Sequence, residues 1–295
     1  MTVDSALKIA EAFDFNAPAS EDDIFEFTEA MNFLITETKE PRYMMHLGSY
    51  YYETKHFDLA QKYYEMAENY GSTDAYVCLG FVWYYGRTGA VDYEKAFHYF
   101  SKAADLGDLE AAHKVADMYL NGYYVEKDYE KYKEIIESLY PRVEHARYLN
   151  EQFPETAVRL ARIRAEDGKT EEAVTLYQKA KWFLAQRIRV SRFFGNFTVM
   201  KWIIDELYRL IPFDEDSFDF YDLFHLLKTP QKVKFCYQGI PHYIETVMEN
   251  EECVIHFDEK WYRTREDFFV KAEIDGIYLT EIYQSLSLFE VLPWN

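Results

Sequence analysis

The residues of this chain best suited to nucleophilic, acid–base or metal chemistry are its eight histidines and three cysteines, and their spacing supports none of these. Cys78, Cys236 and Cys253 stand far apart with no C-x-x-C pair. A disulfide framework or a structural zinc site needs more thiols at closer spacing. No H-E-x-x-H, G-x-S-x-G, G-x-x-x-x-G-K or G-x-G-x-x-G run occurs, so no metalloprotease, hydrolase or nucleotide site is indicated. His225 and His256 have the chemistry of a general base but no supporting neighbour in sequence. The run Asp214-Glu215-Asp216-Ser217-Phe218-Asp219 is rich in oxygen ligands, yet it lacks the loop glycine and remaining ligands of a calcium site. Carboxylates at the positive end of a helix account for it more simply. The expectation is a protein with no catalytic residues, no metal and no cofactor.

What remains is recognition chemistry. Aromatic residues make up 19 % of the chain, with 27 Tyr and 23 Phe. The net charge is −20, which opposes binding to nucleic acid or anionic lipid, since both depend on neutralising phosphates with Lys and Arg. It favours solubility and, for any charged partner, a cationic one. The charge is uneven: residues 1–141 carry −14, 142–192 carry +4, 193–229 carry −4 and 230–295 carry −6. The basic stretch holds Arg142, Arg147, Arg159, Arg162, Arg164, Arg187, Arg189 and Arg192. Guanidinium groups pair with carboxylates in a bidentate fork, so these serve either as a dock for an acidic partner or, as the many carboxylates of the chain itself favour, as internal partners. The N-terminal residues lack the basic start and apolar run of a secretion signal, and no segment approaches the length of an apolar membrane span, so the expected compartment is the cytoplasm.

The elements that must position these side chains are legible as a repeat. Leu47-Gly48-x-x-Tyr51, Leu79-Gly80-x-x-Trp83 and Val115-Ala116-x-x-Tyr119 share one pattern, echoed by Leu160-Ala161. A second block follows each: Ala60-x-x-Tyr63-Tyr64-x-x-Ala67, Ala96-x-x-Tyr99-Phe100-x-x-Ala103, Tyr132-x-x-Ile135-Ile136-x-x-Leu139 and Ala173-x-x-Leu176-Tyr177-x-x-Ala180. Spacings of three, four and seven put these positions on one helical face. Each unit is thus a pair of helices, A then B, whose small residues let the backbones approach and whose aromatics fill the space beside them. The A–B linker is longer in the second and third copies, where Gly86 or Gly122 ends helix A and Asp92 or Asp128 caps helix B. Tyr132 and Leu139 replace small residues in the third copy, which predicts a wider A–B separation there.

The run LGFVWYYGRTGAVDYEKAFHYFSKAADLGDLEAA resembles the Sel1-like repeat, a relative of the tetratricopeptide repeat, and VADMYLNGYYVEKDYEKYKEI is a more divergent copy. The resemblance covers roughly residues 41–190 and implies an adaptor or scaffold with a concave binding surface. Some secreted members are braced by cysteine pairs within each repeat, which this chain lacks. In related arrays the groove is lined by a stripe offset from the A–B seam. Here that stripe is Met45, Ser49 and Tyr52 in copy one; Val77, Phe81 and Tyr84 in copy two, with Tyr85 beside them; His113, Asp117 and Leu120 in copy three; and Val158, Arg162 and Ala165 in copy four. The aromatic members suit peptide or helix recognition, or else pack against the adjoining repeat. On the first reading, Phe81→Ala and Tyr84→Ala weaken binding with little loss of folding.

The expected architecture is mostly α: capping helices over 1–40, an α–α superhelical array of about four helix pairs over 41–190, connecting helices over 191–229, and a small α+β module over 230–295. Helices are expected over 20–38, 193–210 and 216–228, with a short bridging helix over 142–153 and Pro154 opening helix A of copy four. In the C-terminal module, alternation predicts strands at Lys232–Tyr237, Tyr243–Met248, Cys253–Phe257 and Lys260–Arg263, broken at Gly239-Ile240-Pro241 and at 249–252. REDFFVKAEI reads as a helix capped by Thr264, Asp275-Gly276 as a turn, and Leu279–Leu286 as a last helix. The favoured function is non-catalytic binding of a protein or peptide, with oligomeric state open. The alternatives are an immunity or antitoxin-type protein whose acidic surface neutralises a basic toxin, and an enzyme with its site in the C-terminal module.

Overall fold

The structure, a computed structural model, describes residues 1–14, 19–145, 152–249 and 252–293. Its N-terminal two-thirds is a series of helices: α1 (Val3–Ala12), α2 (Glu21–Thr38), α3 (Pro41–Glu53), α4 (Phe57–Asn69), α5 (Asp74–Tyr84), α6 (Tyr93–Asp105), α7 (Leu109–Asn121), α8 (Tyr129–His145), α9 (Phe153–Glu166), α10 (Thr170–Val190) and α11 (Phe194–Leu210). The A and B helices of the four sequence copies are α3/α4, α5/α6, α7/α8 and α9/α10. The chain divides into two units, 1–135 and 136–295, with the division inside α8.

In the first unit the seam between A and B helices is built as the small–large pattern requires. A Cβ added to Gly48 would lie 2.7 Å from Tyr64 Cε1, and one added to Gly80 would lie 2.5 Å from Phe100 Cε1. Both rings are buried. Glycine therefore sets how closely the helices approach, and the aromatic ring of helix B occupies the space a side chain would take. Tyr51 stacks on Tyr63 with centroids 5.6 Å apart, completing the seam of the first pair. The period of 36 residues is repeated in backbone detail. Asp92 N–H donates to Trp83 O at 3.0 Å, and Asp128 N–H donates to Tyr119 O at 2.9 Å. The same two aspartates cap α6 and α8 by accepting from Lys95 N–H (3.0 Å) and Lys131 N–H (2.8 Å). Gly86 and Gly122 both adopt positive φ (59° and 74°) where helix A ends. At the start of the array, Ser20 and Asp23 form a reciprocal capping box on α2.

The second unit contains α9, α10 and α11, a 3₁₀ turn (Phe220–Asp222), α12 (Leu223–Leu226), β1 (Lys232–Tyr237), β2 (Ile240–Glu249), β3 (Glu252–Phe257), β4 (Lys260–Tyr262), α13 (Arg265–Lys271), β5 (Glu273–Ile274), β6 (Ile277–Tyr278), α14 (Leu279–Ile282), a second 3₁₀ turn (Tyr283–Ser285) and β7 (Leu286–Leu292). The main sheet is antiparallel with order β4-β3-β2-β1-β7, and β5 pairs with β6 as a separate ribbon. The buried side of the main sheet carries Val233, Phe235, Ile244, Ile255 and Phe257, and Phe268 of α13 meets Phe257 edge-on at 5.9 Å. A cluster of Phe220, Tyr221, Phe224 and Phe269 forms the rest of this core.

Several expectations from the sequence need correction. The sheet has five strands, because β7 returns to pair with β1; the predicted last helix over 279–286 is only one α turn followed by a 3₁₀ turn. The Gly239-Ile240-Pro241 break is smaller than expected. Gln238 (φ 50°) and Gly239 (φ 78°) alone make the turn, a conformation suited to a two-residue hairpin loop, and Ile240 and Pro241 already belong to β2. The helix beginning after Thr264 stops at Lys271, since Glu273 and Ile274 are needed to pair across the Asp275-Gly276 turn. The segment 216–228 holds a 3₁₀ turn and a single α turn rather than one helix. Of the bridging helix expected over 142–153, residues 142–145 continue α8 past Pro141, residues 146–151 lie outside the described residues, and Phe153 opens α9.

Candidate functional site

The predicted stripe separates into members that the structure brings together and members that it does not. Tyr52 of α3, Phe81 and Tyr84 of α5, and Tyr85 at the end of α5 lie on a continuous aromatic surface in the first unit. Its continuity is set by two cations. The Arg87 guanidinium lies 5.6 Å from the Tyr52 ring centroid, 5.1 Å from that of Phe57 and 4.9 Å from that of Tyr85, bridging copies one and two. Its Nε donates to the Tyr52 hydroxyl at 3.1 Å. Lys114 Nζ of α7 lies 5.4, 5.3 and 5.9 Å from the centroids of Phe81, Tyr84 and Tyr85, bridging copies two and three. The quadrupole of an aromatic face attracts a cation placed over it, so Arg87 links rings of copies one and two, and Lys114 links α7 to the rings of copy two.

The rings differ in what else they do. Tyr85 is 47 % exposed and stacks parallel on Phe81 at 6.0 Å. Phe81 also meets the buried Phe100 ring edge-on at 5.2 Å, and Tyr84 touches Tyr93, Phe100 and Tyr123. Both are half-buried members of the cluster around Phe100. Burial, reinforced by the neighbouring Tyr123 and Asp117, pushes the Tyr84 hydroxyl up to about 12. Phe81 and Tyr84 therefore serve the core and the surface together, and the expectation that alanine at either position spares folding is revised. Ser49 is exposed, whereas Met45 is half-buried against the core between the first helix pairs.

One predicted member leaves the stripe. His113 is only 3 % exposed. Helix α7 packs against both α6 and α5, which buries the adjacent positions 111, 112 and 113 and takes this histidine inside. Arg162 belongs to the second unit, where its guanidinium lies 4.9 Å from the Trp202 centroid. Asp117 remains half-buried on α7 beside Tyr84. The sequence reading missed Arg87, Lys114 and Phe57. The signal for Lys114 was its place one residue beyond His113 on α7; Arg87 sits in a linker that no helical spacing covers.

Several described members of the arginine-rich stretch are engaged internally, while Arg147 lies outside the described residues. Arg164 contacts Glu137 (2.6 Å) and Glu172 (3.2 Å), and Arg187 contacts Glu155 (2.5 Å). Arg189 donates to Gln284 Oε1 at 3.0 Å, and the Arg192 guanidinium lies 3.1 Å from the Tyr278 centroid. Helix α10 is thereby tied to the C-terminal residues. The carboxylates of the 214–222 segment have a similar structural use. Lys181 Nζ donates to Asp222 Oδ1 at 2.6 Å and Asp219 Oδ2 at 2.8 Å, and Asp219 caps the first 3₁₀ turn. Asp219 and Asp222 border an open depression of about 720 Å³ with Phe218, Tyr283 and Phe289. Its acids neutralise Lys181 and cap a turn, so its geometry holds the fold and assembles no nucleophile–base pair. Among the described residues no group of three or more His, Cys, Asp or Glu side chains is placed to hold a metal ion, and no helix is long and apolar enough to cross a membrane.

The fold is that of a helical repeat array, and its repeats can be assigned. The family model described as Sel1 repeat matches residues 74–108 and 109–131, which cover α5 to the start of α8. The chain thus contains two Sel1 repeats, over residues 74–131. Two solved structures are similar to it. The Sel1 repeat protein from Oxalobacter formigenes is 20 % identical, with a TM-score of 0.49, and the match covers 64 % of this chain and 71 % of that one. The protein c5321, a protective antigen present in uropathogenic Escherichia coli strains and displaying an SLR fold, is 16 % identical, with a TM-score of 0.47, covering 72 % of this chain and 50 % of that one. No curated protein matches the chain. Repeats of this kind generally mediate protein–protein interaction and typically act as scaffolds rather than enzymes.

Proposed function

We propose that this chain is a non-catalytic adaptor of the cytoplasm that binds a protein or peptide segment along the aromatic stripe of its first unit. The observation that supports this most is the continuity of the stripe: Arg87 touches rings of copies one and two, and Lys114 of copy three touches three rings of copy two, so Tyr52, Tyr85, Phe81 and Tyr84 present one surface rather than scattered side chains. Rigid aromatic rings offer large contact area with little rotamer entropy to lose, which is why they dominate binding hot spots. Ser49 extends the same surface on α3.

The test uses a photo-crosslinking amino acid placed at Ser49 in the native host, with a second placement at Lys62 on α4. A partner that crosslinks from Ser49, is absent from the Lys62 sample, and is lost on Tyr85→Ala supports the reading. Equal crosslinking from both positions, or capture that survives Tyr85→Ala, counts against it.

A further inference from the structure

The chain as a whole is strongly acidic, which on bulk charge alone favours a basic partner. The stripe has the opposite character. We infer that it selects an extended segment bearing carboxylates, with Arg87 and Lys114 as the two recognition cations and the rings between them as the apolar floor. This rests on the reading of the stripe as the binding surface.

Neither cation is paired with a carboxylate among the described residues. Arg87 is exposed, and of its five N–H donors only that on Nε is used, on the Tyr52 hydroxyl. The two terminal nitrogens remain available as the fork that matches a carboxylate. A ring face beneath a guanidinium orients it without competing for those donors. Lys114 lies over three rings and forms no hydrogen bond among the described residues. Asp58 borders the depression around Arg87 without contacting it at ion-pair distance, and Asp117 lies one turn from Lys114, so the acidic side chains nearby leave both cations unneutralised.

The spacing defines the ligand further. Both cations ride on the same ring, Arg87 at 4.9 Å and Lys114 at 5.9 Å from the Tyr85 centroid. The cations therefore lie no more than about 11 Å apart, a span that two carboxylates on one face of an extended segment, two residues or roughly 7 Å apart, can meet. Successive side chains of an extended segment point to opposite faces, so the preferred pattern places carboxylates at alternate positions, with the side chains between them turned to solvent. The flanking negative surface of the unit then repels segments that fail to place their carboxylates on these two cations, which supplies selection as well as attraction.

The experiment compares two fluorescein-labelled, end-blocked peptides, Glu-Leu-Glu-Leu-Glu and Gln-Leu-Gln-Leu-Gln, by fluorescence anisotropy with the full chain. The glutamate peptide should bind at least tenfold more tightly at low salt, and the preference should shrink several-fold in 0.5 M NaCl. Arg87→Gln combined with Lys114→Gln should bring the ratio of the two affinities to about one, since any loosening of the rings affects both peptides alike; a ratio that stays about tenfold overturns the charge selection. Arg87→Lys should retain part of it. If the glutamine peptide binds as tightly as the glutamate peptide and Tyr85→Ala weakens both, the charge selection is wrong while the stripe stands. If neither peptide binds, both readings fall.

Discussion

Replacing Gly80 by alanine tests the seam on which the whole array depends. The new methyl group would lie 2.5 Å from Phe100 Cε1 and 2.6 Å from Cδ1. Phe100 is completely buried and already in contact with Phe81 and Tyr84, so its ring has nowhere to swing. The helices α5 and α6 must move apart, and overpacking of this kind costs about 1–3 kcal/mol. Alanine returns up to about 1 kcal/mol through its higher helix propensity. The net expectation is a loss of about 1–2 kcal/mol, read as a fall of a few degrees in the unfolding of the first unit by calorimetry. Phe100→Leu removes the atoms that clash, at its own cavity cost. A double-mutant cycle should therefore show favourable coupling between the two changes, with the pair less destabilised than the sum of the singles. A Gly80→Ala protein as stable as the parent, or additive behaviour in the cycle, would refute the close-packed seam.

Two further expectations concern the second unit. Lys181→Gln leaves Asp222, whose side chain is 5 % exposed, without its cation; breaking such a buried pair costs about 3–5 kcal/mol, measured by urea denaturation, whereas Lys179→Gln at a more exposed pair with Glu144 should cost under about 1 kcal/mol. Burial, followed by the positive charges of Lys228 and Arg265, holds the His225 imidazole below its ordinary value of 6.5, although Asp205 opposes this. The folded protein thus binds this proton less readily than the unfolded chain, so the stabilising contribution is complete above pH 6.5 and is lost as pH falls below it. The slope of stability against pH just below 6.5 should flatten in His225→Gln, and an unchanged slope would show that this histidine is not the titrating group.

How far the sequence disclosed this structure follows from the range of the interactions involved. The helix pairs were legible because Gly48, Gly80, Ala60 and Ala96 recur at a fixed period, and because Asp92 and Asp128 cap locally, within three residues. The capping box at Ser20 and the cap at Thr264 were readable for the same reason. Strand β7 was not: its pairing with β1 joins residues 49 to 60 positions apart, and a short apolar run such as Leu286–Leu292 has no period that separates strand from helix. The helix after Thr264 was read too long because nothing local announces that Glu273 and Ile274 pair with Tyr278 and Ile277. At the candidate site, the aromatic members were found from spacing. His113 was misplaced because the stripe was extrapolated from the first two copies, whereas α7 meets two neighbouring helices. Arg87 escaped notice because a linker residue has no helical phase, and its role appears only when Tyr52 and Tyr85 are seen on either side of it.

The most direct measurement is amide hydrogen exchange on the full chain, with and without the partner captured through Ser49. Binding along the stripe should slow exchange in the segments spanning 47–57, 81–88 and 112–120 and leave the strands over 232–262 unchanged. Protection confined to the C-terminal sheet, with those three segments exchanging as before, would contradict the assignment of the aromatic stripe as the binding surface.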